Sequence, residues 1–317
     1  MHPPFHCPAC QSELTSSDTA LNCPGCGERY PIHRGIPELI SQRLLDDFKR
    51  EEQHFHDELS ESARSGSVRH RNSEFHWHFK RPMMDLPRGS QVLELACGTR
   101  ADGIEIALAG KSVTSLDIAL DAVEHSRRLA ERNGAAESMR FLVADGEHLP
   151  FAPASFDATF IAASFHHFPD QVAALREMAR VTRPGGYVIL GVEPASWPYQ
   201  TVYRLLAPVK RFIRRRRDRK HNSVADDSTA GYTEAQIHRL LHQAGLQPLS
   251  IRRVKFFAEF YDSGVRFLGR LMKRDLRSST TVDHILARLD QLIGRIPGVD
   301  RAFWHYNVIS IVPSHRP

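Results

Sequence analysis

Short apolar runs alternate with amphipathic stretches from Gln91 to Pro194, and no other feature limits the fold so tightly. QVLELA, SVTSLD, MRFLVAD, FDATFIAA and YVILGVEP have the length and β-branched content of strands. Between them, ADGIEIALAG, ALDAVEHSRRLAERNG and QVAALREMARV read as helices, the second stopping at Gly134. TRPGG reads as a turn before the fifth strand. Strands alternating with helices form right-handed βαβ units, a parallel sheet with helices on both faces. The apolar runs fit strands buried on both sides. Further on, TEAQIHRLLHQAGL predicts a helix with Thr233 as N-cap and Gly245 at its end. PLSIRRVKFFAEF and HYNVISIV predict the two last strands, making seven in an α/β fold. Two helical insertions interrupt this half, near 195–231 and 261–303. The first carries a stripe of Val202, Leu205, Leu206, Val209, Phe212 and Ile213. The second carries Val282, Ile285, Leu286, Leu289, Leu292, Ile293 and Ile296.

Ligands of open α/β sheets bind beyond the carboxyl ends of the strands, where strand order reverses. Three acids fall at such places: Glu94 in the first strand, Asp117 at the end of the second and Asp145 at the end of the third. A carboxylate after the second strand can accept two hydrogen bonds from a ribose diol. Gly98 lets backbone approach a ligand in the first turn, and the following helix start offers free N–H groups. His166 and His167 follow the fourth strand, and Glu193 ends the fifth. Each is a candidate for moving a proton if a reacting group must lose one.

The first four of five cysteines, Cys7, Cys10, Cys23 and Cys26, are spaced C-x2-C-x12-C-x2-C. Four thiolates close a tetrahedral shell around one zinc, leaving no position for water or substrate, so the metal is structural. Two disulfides, or four unrelated thiols, are the other readings. A segment of this size has too little core to fold alone, and metal supplies folding energy. Residues 1–40 carry Glu13, Asp18, Glu28 and Glu38 against Arg29 and Arg34. Four thiolates on zinc add further negative charge, so this unit is a poor clamp for phosphate.

Residues 41–88 read as one or two polar helices with a loop near Ser60 to Ser73. His54, His56, His70, His76 and His78 read as surface histidines there, because spacings of two do not share a helical face.

CPAC, CPGCGERYP and GIPELI resemble the small zinc ribbon at the N-terminus of many bacterial methyltransferases, itself similar to a stand-alone methyltransferase activator. VLELACGT, SLDIA, VADGEHLPFAPASFDATF, FHHFPD and LREMARVTRPGGYVIL resemble, in order and spacing, the motifs of class I S-adenosylmethionine-dependent methyltransferases. The subgroup they look most like includes the ubiquinone-biosynthesis enzymes. The resemblance is close over about 88–195. It implies a Rossmann-like seven-stranded sheet with helical insertions over 89–317, a ribbon over 1–40 and a linker over 41–88. It also implies S-adenosylmethionine as cofactor, with Glu94 organising the amino-acid end and Asp117, followed by Ile118, taking the ribose. Asp145 with Gly146 meets the adenine, and Ala162 with Ala163 lines the wall by the methionine part. The chain departs from the family in the first turn, where glycines usually alternate at three positions. Here they are Ala96, Gly98 and Arg100. Arg100 pairs with the ligand's carboxylate or turns to solvent, or else the site is degenerate. Gly103 is a nearby source of flexibility. Cys97 reads as packing.

The net charge of +5 is concentrated, since Arg204 to Lys220 holds nine basic residues and one acid. Three readings of that insertion stand open: a lid, an RNA contact, or a basic amphipathic helix over 197–220 at an anionic membrane interface, led by Trp197 and Tyr199 and interrupted by Pro208. The expected acceptor is a small molecule or a lipid-linked one, methylated on O, N or C. An rRNA substrate is the first alternative, disfavoured by the acidic ribbon, and a non-catalytic scaffold the second. No apolar stretch reaches the length of a membrane span. No apolar block follows Met1, so a cytoplasmic protein, peripheral at most to a membrane, is expected.

Overall fold

The computed structural model describes residues 2–62, 74–99, 102–197, 200–201, 231–272, 274, 276 and 279–314. Arg100, His70, Tyr199, the stripe from Val202 to Ile213, Pro208 and the basic run to Lys220 lie outside the described residues.

The parallel core forms as the sequence predicts. β5 (Gln91–Leu95) lies between β6 (Ser112–Asp117) and β8 (Phe156–Ala162). β7 (Met139–Ala144) continues one side and β9 (Thr182–Pro194) the other. β11 (His305–Ile311) returns antiparallel to β9, and β10 (Gln247–Val254) antiparallel to β11. These seven strands run β7-β6-β5-β8-β9-β11-β10, so strand order reverses at β5. Helices α3 (Gly103–Leu108), α4 (Leu120–Arg132) and α5 (Gln171–Val181) make the crossovers. The carboxyl ends of β5 to β9 therefore face one side.

The ribbon is an extension of this sheet. β1 (Thr15–Ser16), β2 (Ala20–Asn22), β3 (Arg29–His33) and β4 (Ile36–Leu39) form an antiparallel set, and β4 then pairs parallel with β7 at Glu38–Val143 and Leu39–Ala144. Arg34 grips the buried Glu124 of α4 with two bonds of 2.7 and 2.8 Å. The Arg140 guanidinium lies 4.1 Å from the Phe5 ring centre and 5.8 Å from that of Phe151. Such contacts join the metal-binding unit and the sheet in one core, which runs from Cys7, Cys23 and Tyr30 through Leu39 to Leu95 and Leu142.

The linker contains α1 (Asp47–Ser62) and α2 (Glu74–Met84). One expectation fails there. His76 is no surface residue: it is 3% exposed, with its ring centre 5.5 Å from that of Phe79. Phe79 packs against Gly191 of β9, where a Cβ would stand 2.7 Å from the ring. Docking that face of α2 carries His76 inside.

α6 (Glu234–Gln243) has the predicted N-cap, completed to a capping box by Gln236. Two local expectations need correction. TRPGG belongs to the start of β9, whose register against β8 shifts between Phe156 and Ala158. PLSIRRVKFFAEF is only half strand, because α7 (Phe257–Met272) begins inside it. The reason is remote in sequence. The buried Asp290 carboxylate, on α8 (Thr280–Ile293), accepts from the N–H groups of Phe256, Phe257 and Ala258 at 3.0, 2.9 and 3.3 Å. Three donors that a helix start leaves unsatisfied are met at once. α7 and α8 both expose apolar side chains, on α8 among polar ones. Phe260, Phe267, Leu268 and Met272 on one, and Ile285, Leu289 and Leu292 on the other, are exposed, as is Ile296 just after α8. Among the described residues no helix is long and apolar enough to cross a membrane.

Candidate functional site

β5 ends in a turn that L-residues enter at a cost. Ala96 and Gly98 both hold left-handed backbone, φ 52° and 54°. Glycine carries no penalty there, whereas an alanine costs about 1 kcal/mol. The turn is tied from β6: Asp117 accepts from Gly98 N at 2.8 Å and from Ala119 N at 3.1 Å. Ser126 holds the Gly98 carbonyl at 2.7 Å. A Cβ built on Gly98 would meet nothing within 4 Å, so the turn's backbone lies open.

Glu94 is buried beneath this turn. It accepts from Ser115 Oγ at 2.6 Å and Gly103 N at 3.1 Å. Burial, and then the nearby Asp102 charge, push its carboxyl up to about 7. Gly103 is needed for space, not flexibility: a Cβ there would stand 2.7 Å from the Glu94 carboxylate. Lys80 of α2, 1% exposed, pairs with Asp102 at 2.7 Å and Glu105 at 2.9 Å. Burial opposes its charge, but those two acids outweigh it and raise its pKa. His76 Nδ1 stands 3.5 Å from Asp102.

At the end of β7, Asp145 accepts from Glu147 N at 2.9 Å and from His148 Nδ1 at 2.9 Å. Its third partner comes from the linker. Lys49 Nζ of α1 lies 2.7 Å from both Asp145 Oδ2 and Glu147 Oε2, and all three side chains are buried. Burial pushes the Asp145 carboxyl up, but His148 and Lys49 outweigh it and hold it below the usual range. Burial dominates at Glu147, which is raised. Gly146 leaves room for Phe168, whose ring a Cβ would approach to 2.6 Å.

Beyond β8, a 3-10 turn presents His166 and His167 with ring centres 4.4 Å apart. His166 Nδ1 meets Glu193 Oε2 at 3.0 Å, and Glu193 Oε1 accepts from Ser164 and Phe165 N–H. Glu193 is turned this way by an irregularity in β9. Its register against β11 shifts between Tyr306 and Val308, and Val192 takes φ 58°, a rare conformation for a β-branched residue. His167 Nδ1 meets Glu52 Oε2 of α1 at 3.0 Å.

The expected residues thus gather at four neighbouring strand ends: Glu94, Ala96 and Gly98 at β5, Asp117 and Ile118 at β6, Asp145 and Gly146 at β7, and Ala162 at β8. The histidines complete the row. Lys49, Glu52 and Lys80 carry no mark in the sequence, and His76 reads there as a surface residue. No local pattern marks a residue whose partner lies far along the chain.

The cysteine sulfurs lie within 4.8 Å of one another. Cys7–Cys26 and Cys10–Cys23 separations are 3.6 and 3.3 Å. A tetrahedral zinc with bonds of about 2.3 Å needs sulfurs about 3.8 Å apart. The donor set fits that ion.

A family profile described as "Methyltransferase domain" matches residues 93–190. A demethylmenaquinone methyltransferase of Corynebacterium glutamicum is 32% identical over 172 residues, covering 52% of this chain and 71% of that protein. A 27-O-demethylrifamycin SV methyltransferase of Amycolatopsis mediterranei is 36% identical over 110 residues, covering 34% of this chain but only 40% of the relative. Among solved structures, the complex of the Haloferax volcanii Trm112 methyltransferase activator with a methyltransferase matches with TM-score 0.50 and 16% identity, covering 86% of this chain and all of that one. At that identity the likeness concerns the fold alone.

Proposed function

Because this chain belongs to the S-adenosylmethionine-dependent methyltransferases, we propose that it moves a methyl group from that cofactor to a small-molecule or lipid-linked acceptor. The observation that carries the reading is the open first turn between Glu94 and Asp117, at the point where strand order reverses. Both Asp117 oxygens already hold backbone N–H groups, and their remaining lone pairs suit a ribose diol. Asp145 has one oxygen whose remaining lone pair suits an adenine amino group. Glu94 fixes the start of α3 through Gly103, so the turn keeps its shape beside the amino-acid end. Ile118 and Ala162 form apolar walls. When bound, S-adenosylmethionine supplies a methyl on a sulfonium: an acceptor lone pair forms the new bond as the S–C bond breaks and its electrons return to sulfur. The chain itself aligns the partners, excludes water and, at His166 or His167, takes a proton when the acceptor must lose one.

A structural zinc on Cys7, Cys10, Cys23 and Cys26 belongs to the same reading. A lipid-linked acceptor, presented at a membrane surface, is supported by the exposed apolar side chains of α7 and α8 and by the charge of Arg204 to Lys220. RNA is a poorer candidate, because the ribbon is acidic.

Calorimetric titration of S-adenosylmethionine and S-adenosylhomocysteine into the zinc-loaded protein tests the proposal. Micromolar binding, lost in Asp117→Ala, is expected. A folded protein that binds neither would refute it.

A further inference from the structure

We propose that Glu52 is a positioning residue that holds His167 as proton acceptor in the transfer. This rests on the methyltransferase reading above. The two histidines after β8 are held alike, each Nδ1 on a buried carboxylate at 3.0 Å. Their carboxylates have different origins. Glu193 belongs to the sheet and is fixed by backbone N–H groups. Glu52 lies on α1, outside the stretch that the family profile matches.

A carboxylate can only accept, so Glu52 requires the proton of His167 on Nδ1. On a neutral ring the lone pair is then on Nε2. His167 remains 18% exposed at its side chain, while Glu52 is 7% exposed. With a hydroxyl acceptor, the O–H bond breaks as the new O–C bond forms and its electron pair stays on oxygen. The proton moves to Nε2, and the resulting imidazolium faces the Glu52 carboxylate.

The same helix is anchored one turn earlier. Lys49 reaches Asp145 and Glu147 at the adenine end, while Glu52, three residues on, reaches the histidine end. That spacing puts both side chains on one helix face. Docking α1 therefore assembles the base at the same time as it covers the cofactor end.

The test is nitrogen-15 spectroscopy of the histidine rings, with and without S-adenosylhomocysteine, in wild type and Glu52→Gln. In wild type His167 carries its proton on Nδ1 and leaves Nε2 unprotonated. In Glu52→Gln, whose amide can donate or accept, His167 becomes a mixture of tautomers while His166 is unchanged. S-adenosylhomocysteine affinity stays within twofold. For any catechol or dihydroxynaphthalene probe that wild type methylates, kcat falls about 10- to 100-fold with KM within twofold. Wild-type His167 protonated on Nε2, or a tautomer unmoved by the substitution, overturns the proposal. So does loss of S-adenosylhomocysteine affinity in step with kcat, which would mean that Glu52 only docks the helix. Failure of the wild type to bind S-adenosylhomocysteine sinks the methyltransferase reading instead, and the ring spectra still report on Glu52.

Discussion

Lys49→Met removes the cation from between two buried carboxylates and leaves its apolar stem in place. The ammonium stands 2.7 Å from each, and the Asp145 and Glu147 side chains are only 8% and 6% exposed. Deleting one partner of a buried ion pair costs roughly 3 to 5 kcal/mol. The lower end applies, because His148 still bonds Asp145 and α1 can shift to admit water. About 3 kcal/mol corresponds to about 4 to 5 °C in Tm for a chain of this size. In wild type the depressed Asp145 contributes stability above its unfolded pKa, and this is lost as pH falls through the folded value. In the variant both carboxyls are raised by burial and mutual repulsion. Their contribution is then intact at low pH and is lost as pH rises through the folded values. The Tm gap between the proteins should thus be widest above neutral pH and narrow as pH falls toward the carboxylate range. Thermal melts in a pH series measure this. A gap below 1 °C, or one unchanged across the series, refutes the buried triad.

Other perturbations give simpler readings. Ala96→Gly relieves left-handed backbone and should raise stability by about 1 kcal/mol, seen as a higher urea midpoint at unchanged slope. Chelation should strip about one zinc per chain, measured by elemental analysis, and speed amide exchange at β4 before the parallel core responds. Thr233→Ala removes the side-chain half of the capping box of α6, leaving the backbone N–H on Gln236, and should cost about 1 kcal/mol in chemical denaturation.

The sequence resolved what local period and strand-end chemistry express. The five parallel strands and the acids at their ends follow from runs that bury on both faces, so each segment declares itself. The α7 start did not, because KFFAEF is apolar enough for a strand and only Asp290, 33 residues beyond Phe257, makes it a helix. α1 misleads in the opposite way. DFKREEQHFHDELSES reads as a solvated helix, yet Lys49 finds Asp145 at a separation of 96 residues and Glu52 finds His167 at 115. Buried charges show in sequence only when their partners are near. Likewise GIPELI marks a strand but carries no sign that its neighbour is β7.

That last pairing decides what the rest of the sheet exposes. β4 covers the carboxyl end of β7, at Val143 and Ala144; without it, β7 would present a row of unpaired N–H and C=O groups along the whole of MRFLVA. Such an edge is a template for a second chain. The four cysteines lie in the unit that supplies β4, so zinc bound there would bear on solubility as well as on local order. Metal-starved protein would then be open to intermolecular strand addition at β7 while the turn after β5, two strands away, kept its fold.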